Sequence, residues 1–158
     1  MKAIVIYFSV SGRTKKVAEA IATELGNYEV DIEAITSEKK SMALIKEKER
    51  ILAGDLSDFI YSENILDLSP YDLVCIGVPV WGGRPAFVFN AFIQKIEGLN
   101  GKNAVVFTTC RFYPGKTLAQ MKSEIEKKGG SVINQKSFRA LFSMGEKKAR
   151  EFGKIINQ

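Results

Sequence analysis

The sequence predicts an α/β fold, a doubly wound five-stranded parallel sheet in the order 2-1-3-4-5, and three observations carry that expectation. Short apolar runs alternate along the chain with segments whose apolar residues recur at helical spacing, the order that βαβ units produce. The central run, Asp72 to Gly77, is nearly all apolar rather than alternating, as a strand buried on both faces must be. The unusual residues fall after the first, third and fourth runs, at the carboxyl ends of strands, where the crevice of such a sheet lies.

Each element follows from its own residues. Ala3 to Phe8 makes the first strand, and Val17, Ala18, Ile21 and Leu25 share one face of the helix that follows. Gly26 and Asn27 end that helix. Tyr28 to Ile35 alternates, with Val30, Ile32 and Ala34 inward and Asp31 and Glu33 outward, which suits a second strand near a sheet edge. From Thr36 to Tyr71 the chain is long and polar. A connection of that length needs a helix of its own, for which Met42, Ile45 and Leu52 offer the apolar face, while the remainder around Asp55 to Leu68 drapes over the ligand edge of the sheet. Asp72 to Gly77 is the third strand, and the next helix carries Phe89, Phe92, Ile93 and Ile96. Asn103 to Phe107 is the fourth strand. Lys116 to Lys128 is helical through Leu118, Met121 and Ile125 and is stopped by Gly129 and Gly130. Ser131 to Phe138 is the fifth strand, and a last helix, Gly145 to Ile156, buries Ala149, Phe152, Ile155 and Ile156.

At 158 residues the chain supplies one well-buried core, so residues 1–158 are expected to form a single domain. No stretch approaches the ~20 apolar residues of a membrane span, and no membrane insertion is expected. Two cysteines make no disulfide framework, and Cys75 lies in an apolar run; the expected compartment is the cytoplasm. The net charge of +5 is spread over interleaved acids and bases, as in Lys46 to Arg50, so no one-signed stripe for nucleic acid is present. There is no histidine, which excludes a histidine triad or histidine metal site, and Cys75 and Cys110 lack a CxxC spacing; no metal is expected. Arg111 to Thr117 ends like a nucleotide-binding P-loop, but its required first glycine is Cys110.

The loop Ser9-Val10-Ser11-Gly12-Arg13-Thr14 is the strongest functional signal. A strand that turns through small hydroxyl residues and one glycine into a helix aims free backbone N–H groups and the positive end of the helix dipole at an anion. After the third strand comes Val78-Pro79-Val80-Trp81-Gly82-Gly83-Arg84-Pro85, which presents the only tryptophan between a proline and two glycines, a flat aromatic suited to lie beside a planar ligand. A Gly-Gly peptide there turns its carbonyl at little steric cost.

Ser-x-Ser-Gly-x-Thr after the first strand, Pro-x-Trp-Gly after the third and Thr-Thr after the fourth together resemble the flavodoxins, over nearly the whole chain. The fifth strand passes into the last helix without a long insertion, similar to the short-chain type. The resemblance implies that Ser9, Ser11, Gly12, Arg13 and Thr14 hold the phosphate of FMN, that Trp81 covers one face of the isoalloxazine, and that Gly82 offers its carbonyl to flavin N5, with Pro79 and Gly83 in the same motif. It places the loop Thr108 to Gly115 at the flavin's other side, with Thr108 and Thr109 near the ring or ribityl chain, Cys110 beside them, and Phe112 or Tyr113 as a second stacking aromatic. The implied function is electron transfer between redox partner proteins; an FMN-dependent NAD(P)H:quinone-type oxidoreductase is the alternative, supported by Arg84 and Arg111. Low-potential flavodoxins are typically acidic around the flavin, whereas here Arg84, Arg111 and Lys116 fall in the ring-contacting loops. A cation about 8 Å from the anionic reduced ring, at an effective dielectric of about 20, contributes on the order of 2 kcal/mol, roughly 80 mV, so a less negative potential and acidic docking surfaces on the partners are expected.

Overall fold

Strand burial decides the architecture. The computed structural model describes residues 1–139 and 144–158. In β1 (Lys2–Phe8), Ile4, Ile6 and Phe8 enter one core while Ala3, Val5 and Tyr7 enter another on the opposite face. β3 (Leu73–Trp81) and β5 (Asn103–Cys110) divide the same way, Val74 and Val106 to the first core, Cys75 and Phe107 to the second. Strands of this kind need helices on both sides. The second core is closed by α1 (Arg13–Glu24) and α6 (Met144–Ile156), the first by α4 (Phe87–Lys95), α5 (Thr117–Lys127) and the long 36–71 connection. With β2 (Glu29–Ile35) and β6 (Ser131–Arg139) at the edges, the parallel order is β2-β1-β3-β5-β6, the expected 2-1-3-4-5 arrangement, plus a two-residue antiparallel strand β4 (Arg84–Pro85) paired to the end of β3.

Several expectations shift. The third and fourth strands run four and three residues beyond Gly77 and Phe107, because the ladder β3–β5 continues through Val78↔Thr108 and Pro79↔Thr109 and the tip of β3 then pairs with β4. On the edge strand β2, Ile32 is 44% exposed rather than inward, while Asp31 is held by the Tyr71 hydroxyl at 2.7 Å. Ile155 likewise stays half in solvent, leaving Ala149, Phe152 and Ile156 to bury the α6 face. The junction between β6 and α6, where a short connection is expected, lies outside the described residues.

The 36–71 connection holds two short helices, α2 (Ser41–Lys46) and α3 (Lys48–Leu52), and one 3₁₀ turn, Glu63–Leu66. The break at Glu47 interrupts the helical phase, so Met42 (69% exposed) and Ile45 face outward and Leu44 and Ile51 are buried instead. Arg50 staples the segment: its guanidinium donates to Glu47, to Asp55 Oδ2 at 2.7 Å, to Ser57 Oγ at 3.0 Å and to Asp58, which Lys39 also contacts at 2.9 Å. These cations hold the Asp55 and Asp58 carboxyls below the usual carboxylate range. Phe59 then meets Phe8 edge-on at 5.7 Å, which brings the connection over the carboxyl end of β1, as expected.

Close packing also fixes one backbone position. A Cβ on Gly77 would lie 2.0 Å from Cε2 of Phe107, its cross-strand neighbour. Gly77→Ala is therefore expected to cost about 1–3 kcal/mol in denaturant unfolding, with Phe107→Leu recovering part of the loss in that background; an unchanged midpoint would contradict this packing.

Candidate functional site

The first turn of α1 is built to leave its N–H groups free. Gly12 occupies the N-cap with φ +86°, a left-handed conformation that glycine adopts without a Cβ penalty. No side chain caps the helix, and its first turn contains no acid. The first helical bond is Lys16 N–H to Gly12 C=O at 3.1 Å, and the Gly12 N–H is taken by Ser9 Oγ at 3.1 Å, which closes the 9–12 turn. Ser11 and Arg13 are exposed at its rim, next to Lys15 and Lys16. A helix terminus that would ordinarily attract Asp or Glu is thus surrounded by cations and offers unused donors to an anion.

Thr14 is buried in that first turn, and its hydroxyl meets the buried Thr109 hydroxyl at 2.8 Å, so the start of α1 is tied directly to the end of β5. Within such a pair one hydroxyl donates to the other, and the acceptor's own proton stays available. Thr108, by contrast, is fully buried inside β5 and donates to the Val78 carbonyl at 2.6 Å. Its proton is committed to holding β3 to β5. Cys110 ends the strand, buried; its thiol is pushed up by desolvation, with the Arg139 charge opposing in part, so it is no activated thiolate.

The second wall is a hairpin. Val80 pairs with Pro85 and Trp81 with Arg84 across a two-residue turn in which Gly82 (φ +60°) and Gly83 (φ +76°) both take positive φ, as a type I′ turn requires. Pro79 lies at its root, where its carbonyl accepts the Ala86 N–H at 2.9 Å. Trp81 is half-buried and clamped edge-on between Phe8 at 6.0 Å and Phe87 at 5.1 Å, both near 83°. The hairpin tip is held from the other side: Lys116 N–H donates to Gly83 C=O at 2.9 Å, and a Cβ on Gly115 would come within 2.6 Å of Gly83 Cα. Between these fixed points Phe112 (77% exposed) and Tyr113 (72% exposed) project into solvent beside Arg111.

The fold therefore brings Ser9 to Thr14 to Thr109, and Trp81 to Gly83 to the 111–116 loop, all at the carboxyl ends of β1, β3 and β5. Sequence reasoning missed the supports of Trp81, namely Phe8 and Phe87, with Phe59 behind Phe8, although two aromatics at a strand end and a helix start on either side of a lone tryptophan were the available signal. Among the described residues there is no cluster of three or more potential metal ligands from His, Cys, Asp and Glu, and no helix long and apolar enough to cross a membrane.

A family model described as Flavodoxin matches residues 2–144. The chain belongs to the flavodoxin family. Its fold is shared with a flavoprotein from Lactobacillus acidophilus solved in complex with FMN, at 23% identity and TM-score 0.67 over 86% of this chain and 92% of that one. It is shared equally with two-electron reduced Megasphaera elsdenii flavodoxin, at 17% identity and TM-score 0.63 over 96% of each chain. Oxidised Flavodoxin 2 from Bacillus cereus is similar at 20% identity and TM-score 0.62, over 97% of this chain and 95% of that one. No curated protein matches the sequence significantly.

In this flavodoxin-family chain the contact between Gly83 and Gly115 holds the β3–β4 hairpin and the 111–116 loop together. Gly115→Ala, at φ +58°, is expected to push the hairpin away. The readouts are faster amide exchange at Lys116 and a red shift in the emission of Trp81, the chain's only tryptophan; unaltered exchange and emission would show that the loops are not coupled.

Proposed function

We propose that the chain binds FMN and carries electrons between redox partners, and the observation that carries this reading is the uncapped, acid-free start of α1 tied by Thr14 and Thr109 to the strand end beside Trp81. The donor set fits a phosphate monoester dianion, which helix N-termini flanked by cations favour. Ser9, Ser11, Arg13 and Thr14 would hold the phosphate, on a turn that Gly12 shapes through its positive φ. Pro79, Trp81, Gly82 and Gly83 would border one side of the ring, and Thr108, Thr109, Cys110, Phe112 and Tyr113 the other, Thr108 with its hydroxyl proton already given to the Val78 carbonyl. When bound, FMN supplies the redox chemistry, and the protein supplies orientation and charge. The complex of the Lactobacillus flavoprotein with FMN supports the cofactor assignment.

The hairpin geometry suits a ligand whose ring nitrogen changes hydrogen-bonding character. Turning the Gly82–Gly83 peptide converts a type I′ turn into type II′, and both join strands of the same twist, so the carbonyl reverses without moving Trp81 or Arg84. Gly83 C=O, fixed by Lys116 N–H, stays in place.

Exposed Arg84, Arg111 and Lys116 around this mouth favour a reduced, anionic ring and partners with acidic docking surfaces. Both cysteines are free thiols, in keeping with a cytoplasmic setting.

Three outcomes follow. Ser11→Ala and Arg13→Gln should each weaken FMN binding about tenfold in fluorescence titrations, from loss of a hydrogen bond to a charged group, and leave riboflavin binding unchanged; equal losses for both ligands would contradict a phosphate role. Arg84→Gln and Arg111→Gln should each lower the potential of the bound flavin by tens of mV in potentiometric titration, on the order of a single screened charge, and unmoved potentials would remove the electrostatic argument. The FMN-loaded protein should give no steady NADPH oxidation with a quinone unless a separate reductase is added. Turnover without that reductase would overturn the carrier assignment in favour of an NAD(P)H oxidoreductase.

A further inference from the structure

A cavity of about 680 Å³ lies between α3, the hairpin and the first turn of α4, a volume within the range of small-molecule sites. It shares Trp81 and Gly82 with the ring-side wall described above but includes no residue of the 9–14 turn or of the β5 end. Leu52, Val80, Trp81 and Phe87 give it flat, apolar walls, and the 83° angle between Trp81 and Phe87 sets two aromatic surfaces at a right angle. Its charge is one-signed. Lys48, whose Nζ stands 5.6 Å from the Phe87 ring centroid, and the exposed Arg84 both line it, and none of its lining residues is acidic.

One polar residue of the lining carries an unpaired atom. Gln120 reaches the cavity from α5 with its Oε1 buried and without a hydrogen-bond partner, and Thr117 Oγ1, one turn earlier on the same helix, is buried and unpartnered as well. A buried acceptor without a donor is costly to the folded protein, and a turn of the Gln120 amide that brings Oε1 to the cavity surface lets an incoming O–H or N–H group remove that cost.

We propose that this cavity is a second small-molecule site, for a flat aromatic acid whose carboxylate meets Lys48 and Arg84 and whose hydroxyl or amine, at the other end of the ring system, donates to Gln120. The apolar walls take the ring, the two cations select the anion, and the glutamine selects a donor. The inference does not depend on FMN binding, since the cavity is lined without the phosphate turn.

The test is calorimetric titration of the full chain, both loaded with FMN and stripped of flavin, with 6-hydroxy-2-naphthoate, 2-naphthoate and 2-naphthol. The expected result is binding of 6-hydroxy-2-naphthoate to both forms at least tenfold tighter than either single-group compound, with a shift of the one indole N–H resonance, that of Trp81. The double variant Lys48→Gln/Arg84→Gln should bind 6-hydroxy-2-naphthoate no better than 2-naphthol. Gln120→Leu should bind it no better than 2-naphthoate, and its retained 2-naphthoate affinity shows that it folds. Absence of heat and of a resonance shift at millimolar ligand, or equal affinity for all three compounds, overturns the proposal. Displacement of 6-hydroxy-2-naphthoate by FMN overturns it too, by giving the cavity to the flavin ring. If the chain fails to take up FMN at all, the titration of the stripped protein still decides the cavity.

Discussion

Burial of the central strands on both faces is the constraint from which the rest of the molecule follows. Helices cover both faces of β1, β3 and β5, so these strands meet solvent and ligand only where they end. The parallel ladders bring three of those ends to the same level: Phe8, the Val78–Trp81 extension and the Thr108–Cys110 extension. The hydrogen bond between Thr14 and Thr109 then joins the first helix to the third of them, across 95 positions of sequence. A functional cradle at this edge thus needs no dedicated domain, only suitable residues in turns that the sheet already gathers.

Those turns differ in rigidity for physical reasons. A two-residue strand such as β4 has little stability by itself. It is held because Trp81 lies edge-on to both Phe8 and Phe87, contacts of about 0.5–1.5 kcal/mol each beyond the area they bury. Phe59 extends the aromatic row into the 36–71 connection, whose own order comes from Arg50 and its carboxylates. The result is a hairpin fixed at its base and at the Gly83 carbonyl, with the Gly82–Gly83 peptide as its freest part. Substitutions in the 36–71 connection should therefore be felt at Trp81, through Phe59 and its contact with Phe8 and through Ile45, Lys48 and Leu52, which share the cavity with Trp81.

Much of this was legible in the sequence because it rests on uninterrupted local patterns. The apolar runs Ala3 to Phe8 and Asp72 to Gly77 read as buried strands, and Ser9 to Thr14 read as an anion-binding turn because hydroxyls and one glycine separate a strand from a helix. Other features depend on contacts between distant residues. Pro79 and the paired glycines made Val78 to Trp81 look like a loop, and only the pairing to Thr108, Thr109 and β4 makes it a strand. Met42 and Ile45 matched a continuous helix that Glu47 interrupts, so Leu44 and Ile51 took the buried positions. Nothing in the sequence around Thr108 showed that its hydroxyl donates to the Val78 carbonyl on the neighbouring strand. Lys48 and Gln120 are ordinary helix-surface residues in sequence, and only the fold turns them toward one cavity.

The central claim is that the turn after β1 holds a flavin phosphate, and the identity of the chromophore in the purified protein tests it most directly. The expected result is a flavin absorbance spectrum and, after denaturation, release of FMN identified by chromatography, in roughly one equivalent per chain. A colourless protein whose apo form also fails to take up FMN would contradict it, leaving a flavodoxin-family fold whose anion-binding turn serves another ligand.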